Sequence, residues 1–153
     1  MKRRRVGVAA AAIVAAAALG PAAPARVETR MVIRLISDNA VVSANDTPPQ
    51  GPSAGDVIVT KSTLRNQVAQ FGKPRGALVG RDRGKVTLLS PTTARLDGVA
   101  TLPGGTIVIR GRVRGATAPV TGGTGRFAHA RGTLTTRDLS GTRAVNVYTL
   151  TLP

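Results

Sequence analysis

The chain's 153 residues suit one domain around one core, and with one histidine and no cysteine it cannot build a disulfide, a thiolate metal site or a cysteine-linked lipid anchor. Its 22 Lys and Arg against 7 Asp and Glu give a net charge of +15, which would suit nucleic acid or an anionic cell surface. Only Phe71, Phe127 and Tyr148 are aromatic, too few to stack bases, and the cations are scattered along the chain, so no nucleic acid is expected and the cell surface remains as a partner.

The amino end reads as an address. Lys2, Arg3, Arg4 and Arg5 precede an uncharged run from Val6 to Leu19, and Ala23-x-Ala25 supplies a cleavage site. Residues 1–25 are therefore expected to be a signal peptide, residues 26–153 the mature domain, and the protein secreted. A retained membrane anchor is the rival reading. The apolar run falls short of the about 20 residues a span needs, and Pro21 and Pro24 interrupt its outer end. Loss of the signal leaves 18 basic residues against 7 acidic ones, a net charge near +11.

From Val27 to Ile36 one set of positions is apolar (Val27, Met31, Ile33, Leu35) and the other carries Glu28, Arg30 and Arg34, the period of two that marks a strand. Ser43 to Ser53 holds three prolines and reads as a loop. Gly55-Asp56 opens a second strand, Val57 to Leu64, with Asp56 as a turn acceptor. After a connection from Gln67 to Pro74, a strand is predicted over Arg75 to Arg81. Asp82-Arg83-Gly84-Lys85 then reads as a polar hairpin tip, with Val86 to Leu89 pairing back.

Thr92 to Leu102 is the next extended run, in which Gly98 suggests a bulge. Pro103-Gly104-Gly105 turns the chain into Thr106–Val113, rich in β-branched residues. A tight turn is predicted at Gly122-Gly123-Thr124-Gly125, then a strand from about Arg126 to Arg137. Asp138 to Gly141 turns into the last strand, Val145 to Leu152. No mature segment carries the spacing of an amphipathic helix. Seven or eight short strands imply an all-β sandwich or a closed barrel, and a barrel leaves no exposed edge.

Gly122, Gly123, Gly125, Phe127, Arg131 and Gly132 form a segment that closely matches the G-G-T-G-x-F-x-x-A-R-G signature of plant dirigent proteins and resembles the G-G-S-G-x-F segment of allene oxide cyclases. Gly55-Asp56-Val57-Ile58-Val59, Gly72 to Gly76, Gly104 to Gly111 and Tyr148 to Leu152 fit the same superfamily in the same order. The resemblance implies a single antiparallel eight-stranded β-barrel with an apolar lumen, self-associating as a trimer or dimer. It also implies a cofactor-independent protein that guides a reactive small apolar molecule toward one cyclic or stereochemical outcome. The site chemistry departs from the pattern. Dirigent proteins carry an acid where this chain has Thr60-Lys61-Ser62, and a second where it has Arg112-Val113-Arg114.

Lumen-facing polar groups are expected at Ser62, Asn66, Arg112 and Thr135, as ligand contacts with no catalytic residue assigned. Thr135 is chosen by counting from the Ala130-Arg131-Gly132 motif. His129 lies beside two alanines after the glycine turn, and no G-x-S-x-G elbow accompanies it, so a structural place is expected. The glycine turn lacks the G-K-[ST] sequel of a phosphate loop. Arg131 is expected to hydrogen-bond a loop or form an ion pair. Two functions follow: an exported barrel that binds a small apolar molecule and steers its cyclisation or coupling, or a non-catalytic binding module of the cell envelope. The lumen discriminates. A cavity of a few hundred Å³ with at least two convergent polar side chains favours ligand chemistry; one filled by aliphatic side chains favours the module.

Overall fold

The computed structural model describes residues 27–153; the signal peptide expected at residues 1–25 lies outside them. Eight strands follow in chain order: β1 (Thr29–Asn45), β2 (Val57–Asn66), β3 (Leu78–Ser90), β4 (Thr93–Leu102), β5 (Gly105–Val113), β6 (Thr117–Gly123), β7 (Arg131–Ser140) and β8 (Arg143–Leu152). Each pairs antiparallel with the next, and β8 returns to β1, so the sheet closes on itself. The closing seam runs over ten residue pairs, from Thr29 opposite Leu152 to Asp38 opposite Arg143. Every strand thereby has two neighbours, and the exposed edge that invites aggregation is removed.

Alternation within each strand decides what the barrel encloses. Ile33 and Leu35 of β1, Leu64 of β2, Ala100 and Leu102 of β4, and Ile107 and Ile109 of β5 are buried and form one cluster with Leu134, Tyr148 and Leu150. This cluster fills the end of the barrel at which β1 starts and β8 finishes. The loop from Asp46 to Asp56 lies at the other end. There the Asp56 carboxylate accepts the backbone N–H groups of Thr47 at 2.8 Å and Ser53 at 2.7 Å, which holds its pKa below the usual carboxylate range. This is the turn-acceptor role expected of it.

Three local expectations are corrected. The chain does not turn at Asp82-Arg83-Gly84-Lys85: β3 runs straight through, paired on both sides, and reverses only after Ser90. Charged residues there alternate between a solvated face and the lumen, which composition alone confuses with a hairpin tip. Thr93–Leu102 is one continuous strand as expected, yet Gly98 makes no bulge, because the register is unbroken from Gly84 through Gly98 to Ile109. The strand expected from Arg126 begins only at Arg131, because residues Gly125–Phe127 form a single 3-10 turn.

That turn explains the glycine motif. Thr124 N–H bonds to the Thr106 carbonyl at 2.9 Å and Arg126 N–H to the Gly104 carbonyl at 2.8 Å, so the β6–β7 connection is stitched to the β4–β5 turn. A Cβ at Gly123 would collide with the carbonyls of Thr106 and Phe127, and one at Gly125 with that of Gly104. The close approach drives Phe127 into the barrel end, where it has no exposed surface. Arg131 donates from Nη1 to the carbonyls of Thr121 and Ala130, fastening the loop from outside. His129, with a φ of 61°, is an exposed loop residue.

Candidate functional site: a polar rung inside the barrel

Above the packed end, at mid-height, the lumen is open. A cavity of about 210 Å³ is bounded by side chains of β1–β5, β7 and β8. Two glycines create much of the room. Gly84 and Gly98 face each other across β3 and β4, and both border the cavity without contributing a side chain. Val86, Leu96, Ile109 and Leu134 supply the apolar part of the wall.

The polar part is organised by register. Asn39 of β1 is paired with Ser62 of β2, and Ser62 is paired with Asp82 of β3, so three inward polar side chains share one rung across three strands. Neighbouring strands lie about 4.8 Å apart, which places these groups in mutual reach. The Ser62 hydroxyl donates to Asn39 Oδ1 at 2.6 Å. Across the lumen, Thr136 donates to Asn146 Oδ1 at 3.0 Å. Tyr148 is fully buried and also borders the cavity, yet its hydroxyl has no hydrogen-bond partner among the described residues. Leaving such a group unpaired costs about 1–3 kcal/mol. A ligand oxygen or nitrogen would recover that.

Asp82 is the titrating member. Burial pushes its carboxyl above the ordinary value of 3.8, and the Ser62 hydroxyl offsets part of this when it turns its proton toward the carboxylate. With that proton given to Asn39 instead, Ser62 offers Asp82 only a lone pair, into which a protonated carboxyl can donate. The rung thus favours the protonated form of this carboxyl more than water does. Tyr148 is pushed well above its usual range, first by burial and then by the charge of Asp82, so it stays a neutral phenol.

Among the residues expected in the lumen, Ser62 lies on this rung. Asn66 is buried but occupied elsewhere: its Nδ2 donates to the carbonyls of Gln70 at 2.8 Å and Lys73 at 3.0 Å, clamping the β2–β3 connection. Arg112 and Thr135 are exposed on the outer face, and this corrects their expected direction. Arg112 shares its side of β5 with exposed Arg110, while Ile109 points in. Thr135 alternates with inward Leu134 and Thr136, so the threonine that reaches the lumen is one residue further along. Sequence reasoning missed Asp82, Asn39 and Tyr148. The signal was present at Asp82, because cations at positions 81, 83 and 85 repeat every second residue and put 82 and 84 on the other face.

The chain is thus a closed eight-stranded antiparallel barrel with polar groups facing an apolar lumen. The chain belongs to the dirigent-like protein family, whose sequence profile matches residues 33–152. No curated protein sequence matches it.

Solved structures show the same fold. A pyocyanin demethylase is similar with a TM-score of 0.65 at 23% identity, covering 78% of this chain and 99% of its own. The pterocarpan synthase dirigent protein GePTS1 has a TM-score of 0.57 at 17% identity, covering 84% and 87%. The Diels-Alderase AbmU from Streptomyces koyangensis has a TM-score of 0.63 at 16% identity, covering 80% and 63%.

Proposed function

We propose that the protein is an exported dirigent-like barrel that takes a small, mostly apolar molecule into its lumen and steers its cyclisation or coupling, with Asp82 as proton donor. The observation that carries this reading is the rung of Asn39, Ser62 and Asp82 beside the unpartnered Tyr148 hydroxyl, all bordering one cavity. A neutral carboxylic acid in an apolar space can protonate a carbonyl, a leaving oxygen or a quinone-like acceptor as charge develops there. Tyr148 supplies a second donor that fixes the substrate's polar end. The aliphatic wall holds the remainder in a reactive conformer and excludes water. The names of the structural neighbours, a synthase of pterocarpan, a Diels-Alderase and a demethylase of pyocyanin, support small cyclic organic molecules as the substrate class.

The test is mass spectrometry of small molecules that co-purify with the secreted protein, compared with a Gly98→Leu variant whose added side chain enters the lumen. Recovery of a compound from the natural protein and its loss from the variant is the expected result. If no compound is recovered across several growth conditions, or if both proteins carry the same one, the lumen is not the site. Conversion of the recovered compound by the natural protein, but not by Asp82→Asn, separates an enzyme from a binding module.

A further inference from the structure

We infer that the outer face of β2–β5 is a docking groove for a linear phosphodiester polymer without bases, of the polyol-phosphate kind. The proposal rests on the outward cations of this face, which the reading of the lumen does not use. Strands β1 to β5 border a space of about 1320 Å³ whose outer part is lined by cations and whose inner part reaches Ser62 and Asp82 of the rung past Gly84 and Gly98. Arg81, Arg83 and Lys85 enter it from successive outward positions of β3, and Lys61 of β2 is the register partner of Arg83. All four are exposed, and among the described residues none has a carboxylate within ion-pair distance. Of the three acids that line the groove, Asp82 faces the lumen, and the outer Asp38 and Asp97 are engaged by arginines, Asp97 also standing opposite Lys85 in register. Asp38 pairs with Arg143 at 3.1 Å and Arg65 at 3.8 Å, and Asp97 with Arg95 at 3.1 Å and Arg110 at 3.3 Å.

Like charges set directly opposite each other on a sheet destabilise it, so Lys61 against Arg83 calls for an anionic counterpart. A second copy of this chain is a poor one, since a two-fold contact would set the same four cations against themselves. The spacing selects the occupant. Successive outward residues on a strand lie about 6.4–6.8 Å apart. Six extended backbone bonds, the length of two peptide residues, span about 6.6–7.2 Å. Phosphates joined through a three-carbon polyol are separated by six bonds, so their charges fall in step with Arg81, Arg83 and Lys85. Polyphosphate, with two bonds between phosphorus atoms, is out of step. A nucleic-acid strand has the right repeat, but the groove is lined by Val59 and Val99 between its cations and holds no aromatic ring on which a base could stack.

The experiment measures binding of a purified poly(glycerol phosphate) chain to the mature protein at several salt concentrations. A single-stranded oligonucleotide and a linear polyphosphate carrying equal numbers of phosphates run beside it. Four phosphate contacts give a slope of log K against log salt of about −3, taking about −0.7 per contact as for single strands. The double variant Lys61→Glu/Arg83→Glu is expected to lose at least tenfold in affinity. Arg137→Glu, an exposed cation on β7, is expected to leave it within twofold. Lys61→Gln/Arg83→Gln repeats the test without charge reversal, and circular dichroism confirms that each variant is folded. Equal losses from the groove and β7 variants would mean bulk charge attraction and overturn the proposal. So would tighter binding of the oligonucleotide or polyphosphate, or no binding at low salt.

Discussion

Asp82 and Asp56 are carboxylates that the fold treats in opposite ways, and the difference predicts how stability depends on pH. Asp56 accepts two backbone N–H groups, and its pKa is lowered. Its contribution is present above the ordinary value of 3.8 and is lost as pH falls through the depressed folded pKa. Asp82 is half-buried and, among the described residues, makes no ion pair, and its pKa is raised by desolvation. The folded state then holds that proton more tightly than the unfolded chain, so stability falls as pH rises from 3.8 through the elevated folded pKa. Asp82→Asn keeps the shape and removes the charge. We expect the variant to melt a few degrees higher than the natural protein at pH 7 and to lack this decline. Urea or thermal melts between pH 4 and pH 8 check it; a variant that melts lower at pH 7 would mean that the ionised carboxylate is a stabilising partner.

The connection between β6 and β7 shows how one element sets the working volume. Its backbone hydrogen bonds to Thr106 and Gly104 hold Phe127 in the barrel end as a plug, beneath the cavity that the rung and Tyr148 face. Phe127→Ala removes a fully buried ring, which costs about 3–5 kcal/mol in comparable cores. For a domain of this size that corresponds to a melting point lower by roughly 10–20 °C. A thermal melt that moves by less than about 4 °C, under 1 kcal/mol on the same scale, would show that the ring is not a plug. The glycine motif was legible in the sequence as a turn, but its 3-10 geometry was not. Nothing in Gly-Gly-Thr-Gly says that the turn must pass within contact distance of the Thr106 and Gly104 carbonyls, since those belong to a different hairpin.

At the scale of the molecule, closure and charge are separate devices. The seam between β1 and β8 completes the sheet, which stabilises the fold without disulfides. The excess of cations lies on the outside, leaving the lumen with Asp82 as its ionisable acid. Under the proposed export, the processed chain is expected to begin at Arg26. Intact-mass measurement of the protein from culture medium checks this: a mass matching residues 26–153 is expected, and recovery of the full-length chain from the membrane fraction would point to a retained anchor instead.

The sequence by itself determined the all-β class and placed β2, β4, β5 and β8 close to their observed bounds, because alternation, prolines and glycine turns are local properties of the chain, while the choice of a barrel over a sandwich came from the resemblance of its glycine motif to dirigent proteins. It also named Asp56 and Arg131 correctly as groups that secure loops. Only the tertiary structure decided which residues meet. Asn39, Ser62 and Asp82 stand on three strands, separated by more than twenty positions in the one case and twenty in the other, and register alone brings them onto one rung. A shift of one residue in any strand would send its polar group to solvent, as the neighbouring positions Thr135 and Thr136 show. Which face of a strand looks inward is a property of the closed sheet, and no stretch of chain carries it alone.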